Sequence, residues 1–424
     1  MKLIANKSVL RGRVRAPGSK SHTIRSVLVA SLAEGESEIQ GPLVSADTLS
    51  AVECYRGLGA EIECGLNWRV KGVGGRVRAP QKVIDVGNSG TTLRFGLGSA
   101  ALLHEGEAEF TGDEQICKRP VGALLMSLND LGARCVSVRG DGCVPVRVKG
   151  KLRGGRTQIA AVTSQYLSSL LLNAPMAEGE TVIEVTQLNE RPYVQITLDY
   201  LDKWGIVYQR QGWERFMIPP GQVYKAGVGQ VPGDFSSATF FFCAGALLDG
   251  AVELEGLDFT DAQGDKAVVE VLREMGARIE VEENVVRVRR GELKGTDIDM
   301  NSIPDALPAL AVTACFAQGP TKLRNVAQAR LKETDRIAVM AKELRKLGGQ
   351  VDELQDGLVI YPAHLKPGSV CGHGDHRVVM ALSLAGMALQ GETVIDTAEA
   401  VNVTFPEYVS LMQTLGAKLR SENS

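Results

Sequence analysis

The sequence predicts an α/β protein of two domains, in which one short unit, βαβαββ, recurs six times. In each copy a polar segment, an apolar helix, a glycine and a short strand follow one another. The glycines that close these helices lie 69 to 73 residues apart, at Gly35, Gly106, Gly179, Gly250, Gly319 and Gly391. The length of 424 residues also exceeds the usual size of one hydrophobic core. Each unit is too small to close a core alone, so the copies are expected to pack against their neighbours.

The order of elements within a unit follows from a second helix and a strand pair in each copy. The second helix ends at a glycine, as in the segment 128–133, and such a glycine supplies the left-handed position that ends many helices. Three of these helices carry a proline at or near the first turn, where its missing N–H is not needed: Pro120, Pro192 and Pro406. Alternating strand pairs with polar turns follow, for example at 60–73 and 134–148. The unit therefore reads strand, helix, strand, helix, strand, strand.

Two Pro-Gly pairs predict how the six units divide. Pro17-Gly18 precedes unit one and Pro232-Gly233 precedes unit four, and such pairs are natural places for a chain to turn between domains. Unit six lacks its final strand, and we expect residues 1–16 to complete it. One domain is therefore predicted at 18–232, and the other at 233–424 together with 1–17. The chain would cross between them twice, near Gly18 and Gly233.

Charge and composition exclude several classes of protein. Lysine and arginine number 47 and aspartate and glutamate 50, a formal charge of −3 that argues against general binding of nucleic acid or anionic membranes. No apolar run approaches the roughly 18 residues that indicate a membrane span, and the N-terminal apolar stretch is too short for a signal peptide. Eight scattered cysteines without a Cys-x-x-Cys pair are typical of reduced cytosolic thiols. We expect a cytoplasmic monomer whose partners are small molecules.

Polar and basic residues gather where the predicted helices begin. A helix N-terminus carries about half a positive charge and several N–H groups, so it attracts anions. Taken singly, these residues have simpler explanations: Gly18-Ser-Lys-Ser is typical of a helix cap and lacks the spacing of an NTPase loop. His373 and His376 without a third ligand do not define a metal site. The candidates on second helices are Arg119, Lys332, Glu333 and Arg336, and those on first helices are Lys20, Ser21, Arg25, Asn88, Gly90, Thr163, Ser164, Gln165, Asp305, His376 and Arg377.

The shared register of these residues is more informative than any one of them. If equivalent helices align within each domain, the charged clusters should converge on one inter-domain cleft. Several arginines and lysines in a cleft predict a ligand with several negative charges, because guanidinium groups bind both phosphate and carboxylate. Asp305 and Glu333 would be the acid and base candidates among these cations.

In combination, the motifs resemble those of the 5-enolpyruvylshikimate-3-phosphate (EPSP) synthase family, from the start of the chain to about Tyr408. The motifs are Pro17-Gly-Ser-Lys-Ser with Arg25, Asn88-Ser-Gly-Thr with Arg94, Arg119-Pro, Ser164-Gln, Arg191-Pro-Tyr, Pro304-Asp, 331–336 (Leu-Lys-Glu-Thr-Asp-Arg) and Asp375-His-Arg. The resemblance implies an inside-out α/β barrel in each of two closing domains, with pseudo-threefold symmetry and an active site in the cleft between them. It also implies transfer of the enolpyruvyl group of phosphoenolpyruvate to the 5-hydroxyl of shikimate 3-phosphate, releasing phosphate. This step of aromatic amino acid biosynthesis needs no metal and no organic cofactor.

The resemblance also implies residue roles. Catalysis would rest on Lys20, Asp305, Lys332 and Glu333, with Asp305 taking the hydroxyl proton and Glu333 protonating the methylene carbon. The residues implied to bind shikimate 3-phosphate are Lys20, Ser21, Arg25, Thr163, Ser164, Gln165, Tyr193, Asp305, Gln328 and Lys332. Those implied to bind phosphoenolpyruvate are Lys20, Asn88, Gly90, Arg119, Gln165, Arg336, His376 and Arg377.

Four positions depart from the family pattern and bear mainly on the acceptor. Glu190 stands where the family often has Ser, and a carboxylate there would repel a phosphate. Gln328 replaces a common Asn, Thr163 replaces a Ser, and Val403 stands where some members have Lys. The sequence alone offers no physical explanation of Glu190.

Two alternatives remain to be separated. An enolpyruvyl transferase acting on UDP-N-acetylglucosamine would carry a reactive Cys five residues before its Arg-Pro, where this chain has Glu114. Cys117 lies only two residues before Arg119. A non-catalytic anion-binding homologue would have lost the acid and base pair, yet Asp305 and Glu333 are both present.

Overall fold

The computed structural model describes residues 1–423, which form two compact units. The N-terminal unit is Gly18–Val231, and the C-terminal unit is Met1–Pro17 together with the chain from Pro232 onward. The predicted division differs from this at Pro232, which belongs to the C-terminal unit. The reason is visible in the backbone on either side: Val231 N–H donates to the Gln40 carbonyl at 2.9 Å, whereas Asp234 N–H donates to the Pro17 carbonyl at 2.9 Å.

The helices and strands follow one another along the chain in the predicted rhythm. Residues 1–17 contribute β1 (Lys2–Asn6) and β2 (Val9–Arg15). The N-terminal unit contains α1 (Lys20–Leu32), β3 (Glu36–Gln40), α2 (Ala46–Gly57), β4 (Glu61–Glu63), β5 (Trp68–Lys71), β6 (Ile84–Asp85), α3 (Gly90–Ala100), β7 (Ala108–Thr111), α4 (Gly122–Asp130), β8 (Arg134–Ser137), β9 (Val146–Lys149), β10 (Gly155–Ala161), α5 (Ser164–Asn173), β11 (Thr181–Leu188), α6 (Arg191–Lys203), β12 (Gln209–Gln211), β13 (Arg215–Ile218) and β14 (Val228–Gln230).

The C-terminal unit continues with the same elements. They are α7 (Phe235–Leu247), β15 (Asp249–Glu255), α8 (Val268–Met275), β16 (Arg278–Glu282), β17 (Val285–Arg289), β18 (Asp297–Asp299), α9 (Leu307–Ala314), β19 (Thr321–Arg324), α10 (Arg336–Lys346), β20 (Gln350–Leu354), β21 (Gly357–Tyr361), β22 (Ser369–Val370), α11 (His376–Ala388), β23 (Thr393–Ile395), α12 (Tyr408–Thr414) and β24 (Lys418–Glu422). Short 3-10 turns precede α8, α9 and α10, and the one before α9 is Pro304–Ala306.

Each of the two compact units contains three four-stranded sheets with one shared topology. The strand orders are β14-β3-β5-β4, β6-β7-β9-β8 and β10-β11-β13-β12 in the N-terminal unit, and β2-β15-β17-β16, β18-β19-β21-β20 and β22-β23-β1-β24 in the C-terminal unit. In every sheet the first two strands listed are parallel and the remaining neighbours are antiparallel. The prediction of six βαβαββ repeats is confirmed.

The prediction for residues 1–16 was only half right. β1 does complete the sheet of unit six, where it lies between β23 and β24. β2 instead opens the sheet of unit four, pairing parallel with β15 from Val9 opposite Asp249 to Arg15 opposite Glu255. Its alternation buries Leu10 and Val14 on one face, which fits the hydrophobic side of that sheet. In the same way, β14 opens the sheet of unit one by pairing parallel with β3.

The first helix of each repeat is buried on all sides, with the sheets outside it. Every residue of α3 and of α7 is buried, and in α1 burial extends from His22 to Leu32. The charged side chains of these helices lie within the first two turns, as Lys20 and Arg25 do in α1 and Arg94 does in α3, because the rest of each helix is enclosed by the core. The N-termini of these buried helices are therefore where the chain can place functional side chains. No helix within residues 1–423 combines the length and apolarity needed to cross a lipid bilayer.

Candidate active site

The predicted site residues form two sets, one in each unit. In the N-terminal unit the first group lies at the start of α1. Lys20 Nζ contacts Asp47 Oδ2 at 3.0 Å, and both side chains are largely buried. One turn further on, Arg25 is 2% exposed, with its guanidinium carbon 5.2 Å from the Phe95 ring centroid. Its three nitrogens donate to the Thr197 hydroxyl (3.0 Å), the Ser21 carbonyl (3.1 Å) and the Tyr193 carbonyl (3.0 Å).

Two further guanidinium groups lie against the start of α3. Arg94 donates to the Gly90 and Pro120 carbonyls, each at 3.1 Å, and Arg119 donates to the Asn88 carbonyl at 3.5 Å. A Cβ at Gly90 would lie 2.5 Å from Arg94 Nη1 and 2.7 Å from Arg119 Nη2, closer than side chains approach in proteins. Glycine at this position is what lets both cations reach the positive end of a helix, a place that favours bound anions.

A different group lies at the start of α5, where Glu190 reaches back from the turn before α6. Glu190 Oε2 accepts from the Ser164 hydroxyl (2.7 Å), the Ser164 N–H (3.1 Å) and the Thr163 hydroxyl (3.4 Å). Gln165 donates through Nε2 to the Thr91 hydroxyl at 3.1 Å, which joins α5 to α3. The predicted phosphate-binding hydroxyls are thus in contact with a carboxylate of the same chain.

In the C-terminal unit the site is centred on Arg336, which is 1% exposed at the start of α10. Its Nε contacts Asp375 Oδ2 at 2.8 Å, its Nη1 contacts Asp305 Oδ1 at 2.7 Å, and its Nη2 contacts Glu333 Oε2 at 2.5 Å. A guanidinium offers five N–H donors in one plane, which is why a single arginine can hold three carboxylates. These ion pairs raise the pKa of Arg336 even though burial opposes its charge.

Asp305 lies among three cations. Its Oδ2 contacts Arg377 at 3.1 Å, and its Oδ1 contacts Lys332 at 3.9 Å in addition to Arg336. Burial opposes ionisation of this carboxyl, but the positive charges of Arg377, Lys332 and Arg336 outweigh it and lower its pKa well below the usual range. In this state Asp305 is a carboxylate and a weak base.

Asp375 joins this group to the start of α11. Its side chain accepts from the Arg377 N–H at 2.9 Å as the helix cap, and it also accepts from the Thr334 hydroxyl at 3.1 Å. Next to it, His376 Nδ1 lies 3.9 Å from Asp375 Oδ1. Burial lowers the pKa of His376 to about 3 despite the nearby carboxylates, so its ring is neutral at physiological pH. Gln328 donates to the Asn301 carbonyl at 3.3 Å.

His373 and His376 contact different carboxylates. His373 Nε2 contacts Glu343 Oε1 at 2.8 Å, whereas His376 Nδ1 lies 3.9 Å from Asp375 Oδ1. Within residues 1–423, no group of three or more His, Cys, Asp or Glu side chains is arranged to hold a metal ion.

The comparisons decide the family. The sequence model described as EPSP synthase (3-phosphoshikimate 1-carboxyvinyltransferase) matches residues 4–412. The chain belongs to the EPSP synthase family.

Individual relatives agree over their whole length. The chain is 56% identical over 420 residues to the 3-phosphoshikimate 1-carboxyvinyltransferase of Acetivibrio thermocellus and 51% identical over 420 residues to that of Ruminiclostridium cellulolyticum, covering 99% of each chain in both pairs. The EPSP synthase structure from Acinetobacter baumannii aligns with a TM-score of 0.84 at 28% identity, covering all of both chains. The two-domain α/β fold is therefore that of the EPSP synthase family.

In this member of the EPSP synthase family, Asp47 and Asp375 contact predicted site residues, although the sequence predicted no role for either of them. Asp47 holds Lys20, but nothing marks it in the sequence apart from its position in the first turn of α2. Asp375 begins the Asp-His-Arg motif but had no predicted role, although it both caps α11 and contacts Arg336. Val403 ends the 3-10 turn Ala398–Val403 and offers no charge where some members of the family have Lys.

Proposed function

We propose that this chain transfers the enolpyruvyl group of phosphoenolpyruvate to the 5-hydroxyl of shikimate 3-phosphate and releases phosphate. The observation that carries the proposal is the group around Arg336, which puts Asp305 and Glu333 on one buried guanidinium in a chain that matches the family from residue 4 to 412. A homologue that had only kept an anion-binding fold would not need two carboxylates among its cations. The reaction class thus fits the chemistry of the residues as well as the family.

Substrate binding would use both sets of residues. In the N-terminal unit, Arg25 and Lys20 would hold the acceptor, and Arg119 beside Gly90 would hold the phosphate of phosphoenolpyruvate. In the C-terminal unit, Arg377 and Arg336 would contact the carboxylate of phosphoenolpyruvate. The remaining acceptor contacts would come from Ser21, Thr163, Ser164, Gln165, Tyr193, Gln328 and Lys332, and the remaining phosphoenolpyruvate contacts from Asn88 and His376.

Proton transfer would follow in two steps. In the addition step the acceptor oxygen attacks C2 of phosphoenolpyruvate, Asp305 takes the hydroxyl proton, and Glu333 gives a proton to the methylene carbon. In the elimination step Glu333 takes a proton back from that carbon, the bond from C2 to the phosphate oxygen breaks, and the proton on Asp305 leaves with the phosphate. The nearby lysine and arginines would stabilise the phosphate as it departs.

The low pKa of Asp305 applies to the protein without substrates, and it is consistent with this assignment once the charge of the substrates is included. The cations Arg377, Lys332 and Arg336 make Asp305 a weak base in the unliganded protein. Anionic groups of the substrates at Arg377 and Lys332 would cancel part of that positive charge, so the pKa of Asp305 would rise towards the range useful for a general base. Asp305 would then become basic only when the substrates are present.

The deciding experiment measures phosphate release with phosphoenolpyruvate and each acceptor in turn. We expect release with shikimate 3-phosphate, none with UDP-N-acetylglucosamine, and none when either substrate is omitted. Release only with the nucleotide sugar would assign the chain to the other acceptor. Binding of both substrates without any release would instead indicate a non-catalytic homologue.

We also propose that the chain works as a monomer in the cytoplasm. All eight cysteines are free thiols, which fits a reducing compartment, and burial raises the pKa of Cys54 and Cys243 to about 12, which makes them unreactive. Light scattering at the concentration of the assay should give the mass of one chain, 45.4 kDa. A mass near twice that value would contradict the monomer.

A further inference from the structure

Glu190 is buried in an unusual backbone position. It lies directly before α6 with φ 58° and ψ 43°, a left-handed conformation that residues with a Cβ rarely adopt. Only 2% of the residue is exposed. A charged side chain of this kind is almost never buried unless its carboxylate has strong partners.

Glu190 accepts hydrogen bonds from donors at the start of α5. One oxygen, Oε2, accepts from the Ser164 hydroxyl at 2.7 Å, from the Ser164 N–H at 3.1 Å and from the Thr163 hydroxyl at 3.4 Å. The N–H belongs to the first residue of a ten-residue helix, so the positive end of its dipole also faces the carboxylate. Glu190 therefore acts as an anion that the chain itself supplies to this helix end.

The same donors are needed by the substrate. Thr163 and Ser164 are the residues that the family resemblance gives to the phosphate of shikimate 3-phosphate. A hydroxyl has one proton to donate and an amide has one, so these groups cannot serve a carboxylate and a phosphate fully at once. Two anions at this distance would also repel each other strongly.

We propose that Glu190 is a specificity-determining residue that competes with the acceptor's phosphate for the Thr163 and Ser164 donors, an inference that rests on the proposed function. Shikimate 3-phosphate binds only as the carboxylate leaves Oγ and N of Ser164. The cost of that exchange lowers the observed affinity of the phosphate subsite for the substrate. An acceptor without the phosphate does not require it.

A purely structural role predicts the opposite result. If Glu190 only capped α5, its removal would loosen the helix start and weaken phosphate binding. Other buried helices show what an ordinary cap looks like: Ser89 caps α3 and Asp234 caps α7, each from the residue directly before the helix. Thr163 already occupies that position for α5, with its hydroxyl 3.5 Å from the Gln165 N–H. Glu190 comes from 26 residues further along the chain.

The test is calorimetric binding of shikimate 3-phosphate and of unphosphorylated shikimate to the full chain and to Glu190→Ser and Glu190→Gln. Serine removes the competing acceptor, whereas glutamine keeps the shape and removes only the charge. We expect Glu190→Ser to bind shikimate 3-phosphate about tenfold or more tightly than the wild type, because hydrogen bonds to ionised groups are the strong ones. The affinity of Glu190→Gln for shikimate 3-phosphate should lie between those of the wild type and Glu190→Ser. The affinity for shikimate should change less than about twofold in both variants.

A matched control removes a carboxylate of the same unit away from the site. Glu63 is exposed on β4, so Glu63→Gln makes the same charge change and should leave both affinities unaltered. In steady-state kinetics, Glu190→Ser should lower KM for the acceptor and leave KM for phosphoenolpyruvate within about twofold. Circular dichroism and the melting temperature check that the variants fold. If Glu190→Ser does not fold, the nearly isosteric Glu190→Gln still tests the inference.

Unchanged or weaker binding of shikimate 3-phosphate by a folded Glu190 variant would overturn the inference. An equal gain for shikimate would do so as well, because the effect would then not concern the phosphate. Turnover by the wild-type chain is read separately in the phosphate-release assay. Turnover without tighter binding by the variants refutes only the role of Glu190, whereas no turnover with any acceptor refutes the proposed function.

Discussion

Arg25 and Arg336 are buried to the same degree in the two units, yet they are held in opposite ways. Arg25 is 2% exposed and donates to two backbone carbonyls and a threonine hydroxyl. Arg336 is 1% exposed and contacts Asp305, Glu333 and Asp375. A carbonyl contact fixes a guanidinium without cancelling its charge, whereas a carboxylate contact does both. The difference separates two tasks that a buried cation can perform.

The carbonyl-held arrangement recurs in the N-terminal unit and suits binding. Arg94 and Arg119 also donate to backbone carbonyls at the start of α3. Such oxygens are part of the folded main chain, so they do not need to move when an anion arrives.

The carboxylate-held arrangement in the C-terminal unit suits proton transfer. Asp305, Glu333 and Asp375 face Lys332, Arg336 and Arg377, three acids against three cations. An anion that enters this group must exchange partners with an acid, and that exchange changes the protonation behaviour of the acid it displaces. Binding and proton transfer are therefore coupled in this set, and three experiments test whether the two sets differ as described.

Glu333→Gln should have the largest effect, because it removes a proton donor from the carboxylate-held set. Glutamine keeps an oxygen that can accept from Arg336, so the ion-pair geometry changes little. We expect kcat to fall by about 10²–10⁴-fold, the usual contribution of a positioned acid or base. Calorimetry should give dissociation constants for both substrates within about threefold of the wild type.

The control for this variant is a glutamate of the same unit outside the site. Glu392 is exposed and pairs with Arg420 at 3.2 Å, so Glu392→Gln removes an equal charge. Its kcat should stay within about twofold of the wild type, as expected for a surface ion pair. Full turnover by Glu333→Gln would remove Glu333 from the mechanism and with it the distinction between the two sets.

Arg377→Ala should have the next largest effect and should be selective for one substrate. Truncating one member of a buried charge pair costs about 2–5 kcal/mol of binding, so KM for phosphoenolpyruvate should rise by about 10²-fold or more. KM for the acceptor should change less than about threefold. The loss of the guanidinium near Asp305, now 3.1 Å away, would also raise the pKa of that carboxyl.

Arg25→Ala in the N-terminal unit provides the reciprocal measurement. It should raise KM for shikimate 3-phosphate more than KM for phosphoenolpyruvate, because Arg25 is assigned to the acceptor. If each variant affected both substrates equally, the assignment of Arg25 to the acceptor and of Arg377 to phosphoenolpyruvate would be wrong.

The repeat could be predicted from the sequence because its signals are local. Each copy contains its own polar helix start, apolar helix and closing glycine, and these recur without reference to the rest of the chain. The partners of β2 and β14 could not be predicted in this way. β14 pairs with β3 across about 190 residues, and it consists of only Val228–Gln230. No periodicity in three residues indicates which sheet they join.

The same division holds for the site. Residues at helix starts, such as Lys20, Arg25 and Arg377, could be proposed from their position and from the family motifs. The contacts of Glu190 could not, because they depend on a left-handed backbone that turns the side chain back to Ser164. The position of Asp47 opposite Lys20 depends likewise on how two helices pack. Local sequence shows which residues are polar at a helix end, and tertiary packing decides which of them meet.

His376→Gln should give the smallest effect. It tests whether water reaches the buried ion pairs around Asp305, Glu333 and Asp375. The pKa of His376 is lowered to about 3 by burial, although Asp375 lies 3.9 Å away and favours the charged form. Between about pH 6.5 and pH 3 the unfolded chain therefore binds a proton at this ring that the folded chain does not. As the pH falls through that range, His376 should reduce the free energy of unfolding by about 1.4 kcal/mol per pH unit.

The lowered pKa values of Asp305 and Asp375 act in a different range and have their own sign. Their ionised forms stabilise the fold above about pH 4, the value for the unfolded chain, and that stabilisation is lost as the pH falls further. Melting temperatures of wild type and His376→Gln at pH 8, 6 and 5 therefore isolate the histidine. Between pH 6 and pH 5 the melting temperature should fall more steeply for the wild type than for His376→Gln. If the melting temperatures of the two proteins changed in parallel with pH, the His376 ring could be protonated in the folded protein. Water would then reach these ion pairs. Asp305 would not be held in the weakly basic state on which its activation by substrate depends.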